Sequence, residues 1–332
     1  MNVTLRQVRG GSGIDVWAET LCRGIRNGGY DCSLDLCSGV YQFIPPLAKF
    51  RKTSLDPDIM QSNSWNAFAF KNDAPLVVTE HHVVHDPVYA PYRSFPQKVF
   101  HRWIYYCEKK SFEVADAVTC VSQYTKKRLE QSFGVLDSQV IYNGIDTTVF
   151  RPIEQVNEAW DIPHDKTILF FAGNLSRRKG ADLLPAIMKQ LGENYLLLLA
   201  TGQRGSSFSG TDNIINIGHQ DLPHLVMAYN RCDIFLSASR LEGFGLSVAE
   251  AMACGKPVVA TNGSSLPELV VDGKGGFLCG MDNVKDFAEK IRHLAADENL
   301  RKEMGTFNRK RANEKFELSR MVQAYIDLYR SL

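Results

Sequence analysis

The segment that points most clearly to chemistry reads EGFGLSVAEAMACG and runs from Glu242 to Gly255. It follows the apolar run Ile234–Ser237, typical of a buried strand, and its part Leu246–Cys254 is typical of a helix. Glycines let a ligand approach the backbone, and a helix N-terminus attracts phosphate. Glu250, one turn into the helix, can accept hydrogen bonds from ribose hydroxyls, while Glu242 can reach another part of the ligand. The plainer alternative is a surface loop with two solvated glutamates.

A second glycine-rich stretch, Gly10-Gly11-Ser12-Gly13, lies between a short strand candidate and a helical pattern. Its backbone can approach a donor phosphate or an acceptor. Gly11 and Gly13 also fit the first two glycines of a dinucleotide-binding fingerprint, with Asp35 as the ribose ligand. Val16, however, stands where the third glycine or alanine belongs. A nicotinamide-dependent oxidoreductase is therefore an alternative, and it leaves the pair of glutamates unexplained.

Apolar runs alternate with amphipathic stretches along the whole chain, which predicts parallel sheets built from β-α-β units. The predicted strands of the first half are Val3–Leu5, Tyr30–Leu36, Ile59–Gln61, Leu76–Thr79, Ala117–Val121 and Gln139–Tyr142. Those of the second half are Ile168–Ala172, Leu196–Ala200, Ile214–Ile217, Ile234–Ser237 and Val258–Ala260. We expect an α/β fold of two doubly wound halves that face each other across a cleft at the carboxyl ends of their strands.

The domain boundaries follow from composition. We predict an N-terminal domain over 1–150, a linker over 151–166 that contains two prolines, and a C-terminal domain over 167–310. A last helical segment over 311–332 continues a helical pattern that begins at Arg301, and we consider its return to the N-terminal domain.

Bulk composition excludes several classes of protein. The 332 residues carry a net charge of +1, so no global field attracts nucleic acid. The eight cysteines form no CxxC pair and no zinc-type spacing, which favours buried, reduced thiols in a cytoplasmic protein. The N-terminus shows no apolar signal-peptide core, and no stretch reaches the length of a membrane span. We expect a cytoplasmic location, with peripheral contact on the inner face of the membrane as an option.

Basic and aromatic residues alternate between Ser94 and Phe112. Val99, Trp103 and Tyr106 share one helical face, joined by Phe100, Ile104 and Cys107, and we expect this helix to pack against the core. The sharper alternative is contact with a membrane surface.

The segment from Glu242 onward resembles the signature of family 4 retaining glycosyltransferases of the GT-B fold, in which Ala-Met-Ala-x-Gly-x-Pro-Val-Val follows two glutamates that seven residues separate. Further matches are Asn143-Gly144-Ile145-Asp146 with Phe150, the lysine motif Gly173–Gly180, Ser239, Pro267-Glu268 and Gly276-Phe277. The C-terminal half is covered almost from end to end, and the N-terminal half more loosely.

The resemblance implies roles for individual residues. Glu250 binds the donor ribose, Glu242 contacts the transferred sugar, Lys179 contacts the diphosphate, and His81 lies close to the donor sugar. His82 and His85 are expected to be structural. The remaining donor-binding residues predicted here are Gly243, Phe244, Gly245, Leu246, Ser247, Asn174, Arg178, Gly11, Ser12 and Gly13.

One departure from the family concerns charge at the diphosphate. Asn174 stands where the family usually has arginine, so a formal positive charge is missing. Either Arg177 or Arg178 is a candidate to supply it, and a solvated surface arginine is the plainer interpretation.

Asp56-Pro57-Asp58 formally matches the DxD pattern that holds a metal in other glycosyltransferases. We interpret it as a turn before the next strand. A lysine and a helix N-terminus can meet the leaving-group charge, so we expect neither metal nor cofactor.

The sequence thus predicts a glycosyltransferase that moves a sugar from a nucleotide-diphosphate sugar to a glycan, lipid-linked or small-molecule acceptor with retained anomeric configuration. The expected context is the synthesis of cell-surface polysaccharide or glycoconjugate. A non-catalytic protein that binds sugar nucleotides is the second alternative, beside the oxidoreductase.

Overall fold

The structure is a computed structural model that describes residues 1–10, 13–50, 56–153, 160, 162–163, 165–201 and 212–332. Gly11 and Ser12, two of the predicted donor-binding residues, lie outside the described residues, as does much of the predicted linker. The described strands are β1 Asn2–Val8, β2 Asp31–Cys37, β3 Ile59–Asn63, β4 Leu76–Glu80, β5 Ala117–Cys120, β6 Gln139–Val140, β7 Thr167–Gly173, β8 Tyr195–Thr201, β9 Ile214–Gly218, β10 Ile234–Ser237, β11 Val258–Thr261 and β12 Gly276–Cys279. The described α-helices are α1 Gly13–Asn27, α2 Phe95–Glu113, α3 Gln123–Phe133, α4 Leu184–Leu191, α5 Leu222–Arg231, α6 Leu246–Ala253, α7 Leu266–Leu269, α8 Val284–Ala296, α9 Glu298–Lys315 and α10 Leu318–Arg330.

The chain divides into two units. The first comprises Met1–Gly144 with Leu318–Leu332, and the second comprises Ile145–Glu317. The observed division therefore comes a few residues before the predicted boundary at 150. Residues 311–317 belong to the second unit, and only the segment from Leu318 onward joins the first.

Each unit contains one parallel sheet. The first sheet has the order β2-β1-β3-β4-β5-β6, and the second has the order β12-β11-β10-β7-β8-β9. In a doubly wound sheet, ligands bind where the strand order reverses, outside the carboxyl ends of the strands. That point lies between β1 and β3 in the first sheet and between β7 and β10 in the second.

The C-terminal helix α10 is part of the core of the first unit. Met321, Tyr325 and Ile326 are buried with Trp17 and Leu21 of α1. A side chain on Gly24 of α1 would overlap Val322, since even a Cβ atom at position 24 would lie 2.4 Å from Val322 Cγ2. The close approach of α1 and α10 therefore requires glycine at this position.

The structure differs from the sequence-based description of the C-terminal region in two places. The helical pattern from Arg301 to Leu332 is two helices, α9 and α10, rather than one. The helical conformation is interrupted at Phe316 and Glu317, where Glu317 forms a parallel β-bridge with Ile145. Strand β12 was not predicted; it is a four-residue strand that contains the glycine of the Gly276-Phe277 match.

The expectation that α2 packs against the core is right only in part: Ile104 and Cys107 are buried, but Val99, Trp103 and Tyr106 do not pack against the core. These side chains are 55%, 37% and 52% exposed. The buried face is formed instead by His101, Ile104, Cys107, Glu108 and Ser111. The helix therefore carries apolar side chains on an outer face that the described residues leave exposed, in addition to its buried face.

All eight cysteines are buried and free, as the spacing predicted. Within the described ranges, no helix combines the length and apolarity needed to span a bilayer.

Candidate functional site

Two loops meet at the point where the strand order of the second sheet reverses. One follows β7 and contains the lysine motif, and the other follows β10 and contains Glu242. Strands β7 and β10 are paired in parallel, so both loops leave the same edge of the sheet. The fold thus places the two motifs that the sequence singled out side by side at the expected ligand site.

Lys179 and Glu242 form the centre of this site. Lys179 Nζ lies 2.5 Å from Glu242 Oε1, which also accepts a hydrogen bond of 2.8 Å from the Ser239 hydroxyl. Burial alone would raise the pKa of Glu242, but the charges of Lys179 and Arg178 outweigh it and hold that pKa at about 2. The carboxylate is therefore ionised at any physiological pH and is held at the end of the lysine side chain.

The structure distinguishes between the two candidate arginines. Arg178 Nη1 lies 3.6 Å from Glu242 Oε2 and donates a 2.8 Å hydrogen bond to the Leu241 carbonyl. The side chain of Arg177 is exposed. Asn174 directly follows β7 and is half-buried, with its carbonyl accepting from the amide of Ser176. The second cation beside Lys179 is therefore Arg178.

Arg240 holds the two loops together, and the sequence analysis did not assign it a role. Its guanidinium forms a bidentate pair with Asp182 and a further 2.7 Å contact with Asp282. It also donates to the carbonyl of Arg177, while its own amide donates to the carbonyl of Arg178. The sequence offers one signal for it, an arginine between the matched positions Ser239 and Glu242. Its aspartate partners could not be identified, because they are far from it in the chain.

Gly180 brings the same loops into close contact. It has a φ of +69°, and a Cβ there would lie 2.0 Å from the carbonyl oxygen of Ala238. Gly218 has a nearly identical φ of +71° with nothing within 4 Å of its Cβ position. The pair allows the cost of backbone strain to be separated from the cost of pushing the loops apart.

We expect Gly180→Ala to lower the free energy of unfolding by about 2–5 kcal/mol, as the sum of left-handed backbone strain and overpacking. Gly218→Ala should lose only about 1–2 kcal/mol, because it suffers the strain alone. Urea denaturation of both variants measures the difference. Equal losses would mean that the contact of Gly180 with Ala238 is not tight in solution.

The second loop ends at the N-terminus of α6. Gly245 caps this helix with a φ of +104° and provides no side-chain hydrogen bond to the first turn. Phe244 is buried against Phe316, and the Ser265 hydroxyl donates to the carbonyls of Glu242 and Phe244. The loop is therefore fixed from behind, and the first turn with Leu246 and Ser247 faces the site with the partial positive charge of a helix N-terminus. Gly243, the other predicted glycine, is buried in the same loop.

Glu250 lies one turn into α6. It accepts a 2.5 Å hydrogen bond from the hydroxyl of Tyr229, a fully buried residue of α5 that the sequence analysis did not identify. Burial raises the pKa of Glu250 to about 7, although the bond from Tyr229 and the charge of Lys179 both lower it. Because Lys179 acts on the pKa of both glutamates, the three groups belong to one electrostatic site.

Two family models match the chain. The model described as "Glycosyl transferases group 1" matches residues 152–311, and the model described as "Glycosyltransferase Family 4" matches residues 12–149. This chain belongs to the group 1 glycosyltransferases. The predicted family is thereby confirmed.

Curated relatives are similar over most of the chain. An uncharacterized glycosyltransferase of Methanocaldococcus jannaschii is 31% identical over 66% of this chain and 60% of its own length. The N-acetyl-alpha-D-glucosaminyl L-malate synthase of Bacillus anthracis is 29% identical over 65% of this chain and 60% of its own length. The matched part of the chain thus spans about 60% of the length of these relatives.

Solved structures show the same fold. Sucrose-phosphate synthase from Thermosynechococcus elongatus superposes with a TM-score of 0.87 at 19% identity, covering 100% of this chain and 99% of that one. Anabaena HepE in complex with UDP and glucose superposes with a TM-score of 0.77 at 19% identity, covering 99% of both chains. The fold class is GT-B, as predicted.

In this glycosyltransferase-family chain, the first unit carries His81 at the end of β4. Its ring packs edge-on against Trp17 of α1 at 4.5 Å, and burial lowers its pKa to about 3, so the imidazole is neutral. Among the described residues, its Nε2 has no hydrogen-bond partner. Gly13 is the first residue of α1, and the Asp15 carboxylate accepts a bifurcated hydrogen bond from the amide of Gly10. His81 directly follows β4 and Gly13 begins α1, so both belong to the first unit.

The other two histidines have structural partners. His85 Nε2 lies 2.8 Å from Glu108 Oε2. Burial lowers the pKa of His85 to about 4 and raises the pKa of Glu108 well above its ordinary value. The backbone amide of His82 donates to Glu80, a residue whose pKa burial raises to about 8.

Asp35 and Asp58, which the alternative interpretations assigned to a ribose and to a metal, have partners within the first unit. Asp35 Oδ2 lies 3.1 Å from Arg6 Nε in a largely buried ion pair within the first sheet. Asp58 accepts a 2.7 Å hydrogen bond from the amide of Asn2 and thereby joins two strand starts. This position before β3 is that of a turn residue, in line with the sequence-based interpretation of Asp56-Pro57-Asp58.

Proposed function

We propose that this protein is a retaining glycosyltransferase that uses a nucleoside diphosphate sugar as donor. The observation that carries the proposal is the convergence of Lys179, Arg178, Glu242 and the uncapped N-terminus of α6 at the reversal point of the second sheet. Two cations and a helix N-terminus suit a diphosphate, and two glutamates suit the hydroxyls of a ribose and a sugar. Family membership and HepE structures with UDP and UDP-glucose support the same donor class.

In the proposed reaction, the bond between the anomeric carbon and the diphosphate oxygen breaks while the acceptor oxygen bonds to that carbon. The leaving diphosphate takes the acceptor's proton, so no strong protein base is required. Lys179 and the N-terminus of α6 meet the charge that develops on the departing oxygen. His81, which is neutral, is assigned a hydrogen bond to a hydroxyl of the transferred sugar.

We propose that the reaction needs no divalent metal, since Lys179, Arg178 and the N-terminus of α6 offer positive charge to the diphosphate. For acceptors we propose a glycan, lipid-linked or small-molecule hydroxyl of cell-surface polysaccharide or glycoconjugate synthesis. A cytoplasmic location agrees with eight unpaired cysteines, which a reducing compartment maintains.

Donor binding is the first test. A nucleoside diphosphate that binds only the native protein raises the melting temperature, and a hundredfold excess over Kd adds about 2.7 kcal/mol of stability. We expect one of the UDP, GDP or ADP series, with its sugars, to give such a shift, in excess chelator as well as without it. No shift with any of them would contradict the proposal, and a shift restored only by manganese or magnesium would contradict metal independence.

Sugar transfer is the second test, and it separates an enzyme from a non-catalytic binding protein. With the donor found above, release of the nucleoside diphosphate should depend on an added acceptor. Proton NMR of the product should show the anomeric configuration of the donor. A product of opposite configuration would contradict retention without affecting the assignment of the donor site.

A further inference from the structure

The described part of the chain exposes large apolar side chains mainly in one region. Ten of the fifteen belong to two short segments of the first unit, and nine of these, all except Tyr105, form one surface. We call them the apolar platform: Val40, Phe43, Ile44, Leu47, Phe50, Phe95, Val99, Trp103 and Tyr106. Such a concentration is unusual, since single exposed apolar residues are normal but contiguous patches mark interaction surfaces.

One half of the platform is a stripe along α2. Phe95, Val99, Trp103 and Tyr106 are separated by four, four and three residues, the spacing of one helical face. Phe95 is 78% exposed, and the opposite face of the helix is buried around Ile104. A helix that already buries one face in its own unit therefore presents a second apolar face outward.

The other half is the segment 39–50, which consists of two short 3-10 turns. Phe43 and Phe50 are 66% and 70% exposed. The ring of Phe43 lies 5.7 Å from that of Phe100 on α2, so the segment adjoins the helix. The two halves are therefore neighbours rather than separate patches.

The charges around the platform are almost all positive. Lys98, Arg102 and Lys109 are exposed on α2, and Lys49 is exposed in the other segment. Residues 39–50 contain no acidic residue. The exposed acid of α2 is Glu113 at its C-terminal end, and a 2.8 Å contact with Lys110 already neutralises it.

We propose that the apolar platform docks on an anionic lipid bilayer. Aromatic and aliphatic side chains flanked by lysine and arginine are the composition of helices that lie in the membrane interface. A second copy of this chain fits less well, because it would bring the basic residues of both copies together without acids to pair them. The surface lies in the first unit and uses none of the residues assigned to the donor, so it goes beyond the proposed function and does not depend on it.

Vesicle flotation tests this inference directly on the full chain. Vesicles that contain phosphatidylglycerol should bind the protein at least about tenfold more strongly than phosphatidylcholine vesicles, because each basic residue near an anionic surface adds attraction. The emission of Trp103, which is 37% exposed, should shift to the blue on binding, whereas Trp17 is already buried.

Three double variants identify the surface. Phe95→Ser with Trp103→Ser should lose about tenfold or more in binding, since the apolar contacts are removed. Lys98→Glu with Arg102→Glu should lose the preference for anionic vesicles. The matched control is Leu136→Ser with Leu222→Ser, which removes two exposed leucines outside the platform and should bind as the wild type does.

All six substituted side chains are exposed, so the melting temperatures of the variants should equal that of the wild type. A variant that fails to fold would be recognised by a lower melting temperature. Donor-induced thermal shifts should persist in every variant, which separates failure of this inference from failure of the proposed function. The inference is overturned if the platform variants bind anionic vesicles as the wild type does. It is equally overturned if light scattering finds a dimer that the platform variants dissociate.

Discussion

Lys179→Ala is expected to lower kcat by about a hundredfold or more while the donor Kd changes much less. Removing one preorganised group that stabilises a developing charge typically has this effect on turnover. Breaking the bond to the diphosphate increases the negative charge on the departing oxygen. A cation beside that oxygen gains most of its interaction energy in the transition state, which is the condition for lowering a barrier. Single-turnover kinetics and calorimetric donor binding measure the two quantities separately.

Lys179 must provide a larger share of the positive charge at the diphosphate, because Asn174 is uncharged where the family usually has arginine. Arg178 is the remaining cation near Glu242, at 3.6 Å from Oε2. Arg178→Ala should therefore reduce turnover by an intermediate factor. Arg177→Ala is the matched control, since this neighbouring arginine has an exposed side chain and should keep nearly full turnover. If Lys179→Ala kept near-normal turnover and Arg178→Ala lost most of it, the diphosphate would contact Arg178 and the assignment to Lys179 would be wrong.

A second route by which Lys179→Ala could act runs through Glu242. Lys179 is the strongest of the groups that lower the pKa of this buried carboxyl to about 2, so its removal must raise that pKa. If protonation of Glu242 caused the loss, turnover in the variant would recover as the pH rises. A loss that is constant between pH 6 and pH 9 would instead indicate direct stabilisation of the leaving group. The pH profile of the variant therefore separates the two explanations.

The sequence was sufficient for those parts of the fold that repeat. Eleven of the strands and the helix α6 follow from apolar runs and helical spacing, because these patterns are local. The position of the lysine motif beside Glu242 follows from the order of parallel strands, once the resemblance supplies the family. The face that α2 buries could not be predicted from apolar spacing, since it includes His101, Glu108 and Ser111, and only tertiary packing selects it.

The residues that hold the site's side chains and loops in place could not be predicted from the sequence either. Arg240 joins Asp182 to Asp282, and Tyr229 reaches Glu250 from another helix. Such contacts depend on side chains that are distant in the chain, and neither spacing nor composition records them. What the sequence does record is the group that needs support, which is why Glu250 was identified and its hydrogen-bond donor was not.

Glu250→Ala is expected to weaken donor binding by about 1–3 kcal/mol, the range for hydrogen bonds to a charged group. Folding should survive, because Tyr229 loses a single hydrogen-bond partner. Isothermal calorimetry with the nucleotide sugar measures the loss. The structure adds a pH dependence that sharpens the test, since burial raises the pKa of Glu250 to about 7 in the free protein.

Donor affinity should rise with pH between 6 and 8 if the ionised carboxylate binds the ribose. Below its pKa, Glu250 carries a proton that must be released on binding, and each unit of pKa difference between free and bound states is worth about 1.36 kcal/mol. We therefore expect binding to be several-fold tighter at pH 8 than at pH 6, approaching about tenfold if the pKa falls by one unit or more. The donor itself does not titrate in this range. Glu250→Gln should bind more weakly and show no such dependence.

Tyr229→Phe provides the decisive comparison, because it removes one hydroxyl and leaves a fully buried ring in place. The hydrogen bond from Tyr229 lowers the pKa of Glu250, so its loss must raise that pKa. The rise of affinity with pH should then occur at a higher pH in Tyr229→Phe than in the wild type, while affinity at high pH changes little. A flat profile in the wild type, or an unchanged profile in Tyr229→Phe, would mean that the Glu250 carboxylate does not exchange its proton for the ribose. Because the two substitutions act on one carboxylate in predictable directions, agreement of both profiles would tie the ribose to Glu250 more firmly than the loss of affinity alone.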